Sequence, residues 1–180
     1  LRYDYDERYL AEFTGRYDGS YKFAGMANTR WGFFPSASVG WRLSKESWMS
    51  GASSFLDDLK IRGSVGLLGS DNASAYTFLS TYSQWGSKVI YGQYNGPVNI
   101  NPAYYASGVP NLDLTWEKTL SYNVGFDFTM WNGLLGAEVD GFYNWTYDML
   151  TAQGSGFPSS MGGYYPSVVN KNSIDVRGID

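Results

Sequence analysis

Tyrosine and tryptophan are concentrated in the stretch from 73 to 111, among Asn, Gln and Ser residues. Exposed aromatic rings stack on the faces of sugars, amide side chains bond sugar hydroxyls, and both serve peptides nearly as well. This stretch is therefore a candidate contact surface for an oligosaccharide or a peptide. The rings could equally pack the stretch against itself or against a partner lid. The candidate residues are Tyr82, Trp85, Tyr91, Tyr94, Tyr104 and Tyr105.

Residue types that most enzymes need are missing. The sequence has no Cys and no His, which removes the thiolate nucleophile, the commonest general base and the commonest transition-metal ligand. Acidic residues do cluster at Asp4, Asp6 and Glu7 and at Asp57-Asp58, but neither cluster has the spacing of a calcium-binding loop. We expect solvated turn carboxylates there. The sequence predicts no enzyme, no metal site and no cofactor.

The charge balance argues against a nucleic-acid partner. The chain has 13 Lys and Arg against 17 Asp and Glu, which gives a formal charge of -4. The basic residues are scattered along the chain. Binding to phosphates requires them to be clustered on one surface.

A period of two dominates the hydrophobic pattern, and no segment of comparable length keeps the helical period of about 3.6 residues. Asn132-Gly133 between two alternating runs predicts a tight hairpin turn in which both residues have positive φ. The chain is therefore expected to be all-β and antiparallel. The predicted strands are about 1–17, 31–43, 59–68, 114–130, 134–147 and 173–180, with long loops at about 18–30, 69–113 and 148–172.

Several of these runs are longer than the strands of soluble sandwiches, which average about 5 to 6 residues. A strand of about 13 residues tilted by about 40° rises roughly 33 Å, enough to cross an apolar band of about 25 Å. The length favours strands of a transmembrane outer-membrane β-barrel. Five or six strands cannot close a large barrel, so we expect a segment of a longer barrel.

The positions of the aromatic residues agree with a barrel. On the apolar faces they lie near both ends of the predicted strands, as in the girdles at the two membrane interfaces. The alternative is that they fill the core of a large sandwich. The girdle candidates are Trp31, Phe33, Trp41, Trp116, Trp131, Tyr143 and Trp145.

Charged residues on the alternate faces would line the barrel lumen. They would either contact a substrate or a plug domain, or neutralise one another across neighbouring strands. The lumen-facing candidates are Glu12, Arg16, Arg42, Arg62, Glu117, Asp127, Glu138 and Asp140.

A series of motifs in fixed order resembles the barrel of the SusC/RagA-type TonB-dependent transporters, outer-membrane nutrient importers of Bacteroidetes. The resemblance covers most of the chain except 73–111 and 151–172, the parts that vary within such a family. The matching positions are Tyr17–Ser20, Phe23, Trp31–Ser38, Trp41-Arg42, Leu59–Arg62, Gly69, Thr115–Thr119 and Thr146–Leu150, and the final Val176–Asp180 resembles a further family motif.

This resemblance implies a multi-pass barrel with extracellular loops, in contact with outer-membrane lipid and lipopolysaccharide. It implies import of oligosaccharides or peptides without chemical change, with a SusD-like lipoprotein closing the barrel from outside. TonB would act through parts of the protein that this chain lacks, since neither a plug domain nor a TonB box is recognised in it. An extracellular, aromatic-rich carbohydrate-binding β-domain is the alternative. A barrel hydrolase would need a catalytic triad that the sequence does not offer.

Overall fold

The structure is a computed structural model that describes residues 1–25, 29–92, 97–153, 157–162 and 165–180. Short 3₁₀ helices occupy Leu43–Lys45, Ser47–Ala52 and Ser159–Met161. Within the described ranges, no helix has the length and apolar character needed to cross a membrane. The strands are β1 (Arg2–Tyr5), β2 (Tyr9–Gly19), β3 (Trp31–Arg42), β4 (Leu56–Ser70), β5 (Tyr82–Gly92), β6 (Val98–Ala106), β7 (Glu117–Met130), β8 (Leu135–Tyr147), β9 (Leu150–Ala152), β10 (Val168–Asn170) and β11 (Ser173–Ile179).

A single antiparallel sheet of seven strands, in the order β1-β2-β3-β4-β7-β8-β11, makes up the body of the molecule. The order skips β5 and β6 between β4 and β7, and β9 and β10 between β8 and β11. Each skipped pair forms a two-stranded sheet of its own within a loop. The predicted all-β antiparallel architecture is confirmed.

The predicted strand 1–17 is divided by a turn that the sequence pattern missed. Asp6 and Glu7 have positive φ, and the backbone N–H of Arg8 donates to the carbonyl of Tyr5 at 3.0 Å. The turn has neither Gly nor Pro. The side chain of Asp4 stabilises it instead, because its Oδ1 accepts the Glu7 N–H at 3.0 Å.

A β-hairpin occupies most of the predicted loop 69–113. β5 and β6 pair from Tyr82↔Ala106 to Gly92↔Val98, with a register shift between Gln84 and Lys88. The shift puts residues on either side of it out of phase, which hides the alternation on which the sequence prediction depended. This hairpin, β5 with β6, is called the arm.

The seven-stranded sheet has one apolar face and one polar face. Directly paired residues lie on the same face of a sheet, so each row of paired residues shows the character of its face. One row across the apolar face is Ala11, Val39, Gly63, Val124 and Gly141. The neighbouring row on the polar face is Glu12, Ser38, Ser64 and Asn123. No second described layer covers the apolar face, and Val39 at its centre is 63% exposed.

β11 reverses this alternation. Its register puts Asp175 opposite Trp145 and Arg177 opposite Tyr143, so both charges lie on the apolar face. Ile174 pairs with Thr146 and is therefore on the polar face. At β11, the last strand of the sheet, charged residues therefore lie on the apolar face and apolar residues on the polar face.

The predicted hairpin turn between β7 and β8 is present. Asn132 and Gly133 both have positive φ, as expected, and Trp131 has positive φ as well. The Leu134 N–H donates to the Trp131 carbonyl at 3.2 Å and closes the turn. Met130 and Leu135 are the last directly paired residues.

The buried core lies at one end of the sheet, among the long loops. Phe23, Phe34, Leu114 and Trp116 form a cluster, with Leu67, Ala73, Leu150 and Val168 packed against it. These residues come from three loops and the ends of β3 and β4. The cluster therefore fastens the loops to the end of the sheet.

Candidate functional site

All of the predicted lumen-facing residues lie on the polar face of the sheet. Their partners in the register place them there: Glu12 is opposite Ser38, and Glu117 is opposite Ser70. The same test puts the rest on this face, namely Arg16, Arg42, Arg62, Asp127, Glu138 and Asp140.

Arg62 is the centre of an ion-pair network on the polar face. Its Nε donates to Oδ1 of Asp127 at 2.9 Å, and its Nη2 donates to Oδ2 of Asp140 at 2.7 Å. Glu138 lies 3.8 Å from Arg62, and Lys60 lies 3.7 Å from Asp127. These charges from β4, β7 and β8 therefore neutralise one another across three strands.

Gly125 makes room for the network. It lies between Arg62 and Asp140 in the row across the sheet. A Cβ on this residue would be 2.6 Å from Oδ1 of Asp140 and 2.7 Å from Cζ of Arg62. The absence of a side chain at this position lets the guanidinium cross β7 and reach β8.

Most other charges on this face are also paired. Arg42 lies 3.5 Å from Asp58, and Arg16 donates to Asp18 at 2.5 Å. Glu117 accepts the backbone N–H of Leu150 at 3.2 Å. Opposite charges therefore neutralise Arg42 and Arg16, a backbone N–H satisfies Glu117, and Glu138 keeps most of its surface open to solvent.

Six of the girdle candidates have exposed side chains, and those within the strands lie on the apolar face. Tyr17 stacks on Trp31 at 5.2 Å near the long-loop end. Trp145 and Tyr147 stack at 4.7 Å at the same end. The exposed candidates are Trp31, Phe33, Trp41, Trp131, Tyr143 and Trp145.

Trp116 is not part of the exposed girdle, which corrects the sequence-based prediction. It is only 6% exposed, and its ring packs 5.2 Å from that of Phe34 and 5.5 Å from that of Phe23. Its Nε1 donates to the carbonyl of Arg30 at 3.2 Å. β7 begins one residue later, at Glu117, so Trp116 belongs to the loop and folds into the loop cluster.

Glu46 holds the aromatic residues at the short-turn end, a role that the sequence did not reveal. Its Oε1 accepts hydrogen bonds from the Tyr9 hydroxyl at 2.7 Å and from Nε1 of Trp41 at 2.9 Å. These bonds from Trp41 and Tyr9, with the positive charge of Arg8 nearby, lower the pKa of Glu46. The side chain is 9% exposed and lies in the turn after β3, outside the strands.

Asn170 connects the loops at the other end. Its Oδ1 accepts the Thr115 N–H, and its Nδ2 donates to the carbonyls of Thr115 and Asp148, each at 2.8 Å. Ser20 adds a second link through a hydrogen bond to Asp71 at 2.8 Å. The resemblance had marked Ser20, but no sequence signal pointed to Asn170.

Five of the six candidate substrate-contact residues lie in the strands of the arm. Tyr82, Trp85, Tyr104 and Tyr105 are exposed, and Tyr82 is 72% exposed. The rings of Trp85 and Tyr105 meet edge to face at 5.7 Å and line a shallow depression of about 290 Å³ with Gln84 and Gly86. Tyr94 and the side chain of Tyr91 lie outside the described residues.

The acidic clusters have partners within the protein. Asp6 pairs with Arg8 at 2.6 Å, Glu7 with Lys45 at 3.1 Å, and Asp57 accepts the Gly133 N–H at 3.0 Å. Across the described ranges, no group of three or more acidic side chains is arranged to hold a metal ion.

The family model described as "TonB dependent receptor-like, beta-barrel" matches residues 1–180. The chain belongs to the TonB-dependent receptor β-barrel family. The resemblance to the SusC/RagA-type members is confirmed, and the fold is that of a segment of such a barrel.

Two curated relatives show how much of a receptor the chain represents. TonB-dependent receptor SusC of Bacteroides thetaiotaomicron is 34% identical over 156 residues, which cover 84% of this chain and 15% of that protein. TonB-dependent receptor P39 of Formosa agariphila is 31% identical over 152 residues, covering 83% of the chain and 13% of that receptor. The chain thus spans a small part of each relative's length.

Solved structures agree on the fold. A structure of the RagAB peptide transporter is similar to the chain, with a TM-score of 0.77 at 25% sequence identity. The match covers 99% of this chain and 18% of that one. The RagAB peptide importer in its "closed-closed" state gives the same TM-score at 24% identity.

Two motifs of the receptor family meet where β7 begins and β8 ends. Lys118 lies 3.3 Å from the carboxylate of Asp148 and 5.7 Å from the ring centroid of Tyr147. Thr119 and Thr146 share a hydrogen bond of 2.8 Å. The motifs Thr115–Thr119 and Thr146–Leu150 are therefore in contact at the long-loop end of the sheet.

Proposed function

We propose that the chain forms part of the barrel wall of an outer-membrane importer for oligosaccharides or peptides. A SusD-like surface lipoprotein works with it, and TonB drives it through other parts of the receptor. The family assignment favours this function over a free-standing carbohydrate-binding domain. No catalytic step is part of the proposal.

The two faces of the sheet carry this proposal. The apolar face is exposed and bordered by aromatic residues, which suits contact with lipid, whereas most of the charges on the polar face are paired, which suits a lumen. β4 has 15 residues, enough at about 3.3 Å per residue to cross an apolar band of about 25 Å even when tilted. The lipid partners are outer-membrane phospholipid and lipopolysaccharide.

The arm supports the choice of substrates. Its exposed rings Trp85 and Tyr105 border a shallow depression with an amide side chain, Gln84, at its edge. Such a surface stacks on sugar rings or on peptide side chains, and the amide bonds hydroxyls or peptide groups. The RagAB relative is described as a peptide importer. This supports peptides as one of the two proposed substrate classes.

The fastened loops support docking of a lipoprotein. Asn170, Trp116 and Ser20 tie three loops together at the end of the sheet. A surface that is ordered before binding loses less entropy when a partner docks on it. The SusD-like lipoprotein would therefore meet a preformed platform from which the arm projects.

Uptake by cells that carry the full-length receptor tests the proposal. Cells should accumulate a labelled oligosaccharide or peptide pool, and deletion of the receptor, of its SusD-like lipoprotein or of TonB should abolish accumulation. Uptake that persists without TonB would contradict the proposal.

Variants of the arm test its role in the same assay. The double variant Trp85→Ala/Tyr105→Ala should lower uptake, because it removes both rings from the depression. Ile90 and Ile100 are paired, exposed aliphatic residues on the same arm, so Ile90→Ala/Ile100→Ala is the matched control. Equal loss in both variants would indicate an effect on the hairpin and not on substrate contact.

A further inference from the structure

A β-bulge in β4 sets Asp57 apart from its neighbours. Leu56 pairs with Met130 and Asp58 pairs with Thr129, so Asp57 is an extra residue in the register of β4 and β7. An extra residue of this kind bends its strand and redirects its side chain. Asp57 is exposed, so its carboxylate can reach a neighbouring turn.

The bulge directs Asp57 to the turn between β7 and β8. Its Oδ2 accepts the backbone N–H of Gly133 at 3.0 Å. The Trp131 N–H donates to the Phe55 carbonyl at 2.9 Å, which ties the same turn to the segment before β4. Asn132 lies between these two fixed points. The backbone on both sides of Asn132 is therefore held by residues 55–57.

Asn132 followed by Gly133 is a sequence that readily loses its side-chain amide. Asn is one of the residue types that degrade on heating, and glycine has no Cβ to hinder an attack by its own nitrogen. The Gly133 nitrogen loses its proton to hydroxide and forms a bond to Cγ of Asn132. The amide nitrogen of the side chain takes up a proton from water and leaves as ammonia.

Water completes the reaction. It opens the resulting succinimide ring to give either aspartate or isoaspartate at position 132. Asn132 and Gly133 are both exposed, so water and hydroxide reach the site. The reaction therefore needs no reagent other than the solvent.

The hydrogen bond from Gly133 to Asp57 opposes the first step. The nitrogen that must attack is the one whose proton Asp57 accepts. A nearby carboxylate disfavours a second negative charge, so loss of this proton becomes harder. The nitrogen must also turn toward Cγ of Asn132, and this movement breaks the bond to Asp57.

We propose that Asn132 is a deamidation site and that Asp57 protects it. Asp57 is a positioning residue, because it acts through the Gly133 N–H. The inference goes beyond the proposed function and does not depend on it, since it requires only the bulge and the turn.

Deamidation would alter the turn in two ways. The product adds a negative charge one residue before the N–H that Asp57 accepts, and like charges in contact are destabilising. Isoaspartate also carries the backbone through its side chain, which lengthens the turn by one carbon atom. Met130 and Leu135, the last paired residues, would then lose their spacing. Protection of Asn132 therefore preserves the β7–β8 hairpin.

Storage of the purified full-length receptor in detergent at mildly alkaline pH tests the proposal. Proteolytic peptides are separated by chromatography and identified by mass spectrometry, which together distinguish asparagine, aspartate and isoaspartate at position 132. Asp57→Ala removes the acceptor and the charge, whereas Asp57→Asn keeps an acceptor of the same shape without the charge. Asp4→Ala is the matched control, because Oδ1 of Asp4 accepts the Glu7 N–H at 3.0 Å in a different turn.

Deamidation at position 132 should be several-fold faster in Asp57→Ala than in the wild type, and unchanged in Asp4→Ala. It should also be faster in Asp57→Asn, which gives the answer should Asp57→Ala fail to fold. Because Asp57→Asn keeps the shape of the side chain, its faster rate reports the charge and not a loosened turn.

Three results would overturn the proposal. The first is an equal rate in the wild type and in the folded Asp57 variants. The second is a slower rate in these variants, which would make Asp57 a base that assists the attack. The third is a wild-type rate as fast as that of the receptor unfolded in urea, because the turn would then give no protection.

Discussion

Arg62 reaches across an intervening strand to Asp140: its Nη2 lies 2.7 Å from Oδ2 of a carboxylate two strands away. The guanidinium passes over Gly125 and also holds Asp127 on the strand that it crosses. One side chain thus links β4, β7 and β8 on the polar face. Hydrogen bonds of the backbone join only adjacent strands. The Arg62 side chain therefore adds a direct connection between β4 and β8, which are not adjacent.

Gly125→Ala should weaken this link. The added methyl group would collide with Arg62 and Asp140, and separating a charged hydrogen-bonded pair costs about 1.5–3 kcal/mol. We expect a lower heat-denaturation temperature of the full-length receptor in detergent. Gly136→Ala is the matched control on the same face, because its Cβ would lie no closer than 3.5 Å to any atom. Equal stability of the two variants would count against the role of Gly125.

Gly69→Ala should disturb the loop cluster through Phe34. A Cβ at this position would overlap Cζ of Phe34, whose ring centroid lies 5.2 Å from that of Trp116. Overpacking of this kind costs about 1–3 kcal/mol. Thermal denaturation of the receptor measures the loss. Gly63→Ala, with no atom closer than 3.9 Å to the new carbon, should be tolerated.

A double variant tests whether Phe34 is the cause. Phe34→Leu removes the ring that blocks the new methyl group. The loss in Gly69→Ala/Phe34→Leu should therefore be smaller than the sum of the two single losses, since neighbours in contact are not additive. Additive losses would mean that Gly69 acts through another contact.

Asn170→Asp should release the loops at their base. The substitution keeps the shape of the side chain and removes both N–H donors to Thr115 and Asp148. Buried acceptors left without a donor cost about 1–3 kcal/mol each. We expect faster cleavage by trypsin at Lys171 in limited proteolysis of the receptor. Asn172→Asp is the control, because Asn172 is exposed and makes only one long side-chain bond of 3.4 Å.

Glu46 should make the stability of the receptor depend on pH. A hydrogen bond from Trp41, which has the larger effect, and one from Tyr9 lower the pKa of Glu46 below the ordinary value of 4.5. A carboxylate with a lowered pKa stabilises the folded state fully above its ordinary pKa, and this contribution is lost as the pH falls through the lowered value. Glu46→Gln should therefore denature at a lower temperature than the wild type at pH about 7, where the wild-type carboxylate is ionised.

The same comparison at low pH provides the check. The difference in denaturation temperature between wild type and Glu46→Gln should shrink as the pH falls below 4.5, because the protonated carboxyl group resembles the amide. A difference that stays constant over this range would show that the charge of Glu46 is not what stabilises the turn.

The alternation of residue types was enough to predict most of the sheet. β3, β4, β7 and β8 occupy nearly the ranges expected. A strand with one apolar and one polar face has apolar and polar residues at alternate positions, and this pattern is visible in the sequence. Asn132-Gly133 identified its hairpin because few other residue pairs tolerate positive φ at both positions. The register then placed all of the charged lumen candidates on one face.

Features that depend on distant contacts could not be predicted in this way. Trp116 is in phase with Leu120 and Tyr122, yet it turns into a cluster with Phe23, which comes from a loop far away in the sequence. The register shift in β5 concealed the arm. Asn170 and Glu46 are single polar residues whose partners are known only once the loops and turns are folded.

The pairing of β4 with β7 makes the arm an interchangeable part. These strands are neighbours from Leu56↔Met130 to Ser70↔Glu117, so the whole segment between them is the loop of one hairpin. The entropy of closing such a loop grows only with the logarithm of its length, and the register of the wall is set by the strands alone. The arm can therefore be exchanged for a hairpin of different length and chemistry without moving the strands of the wall, provided that Leu114 and Trp116 keep their places in the loop cluster.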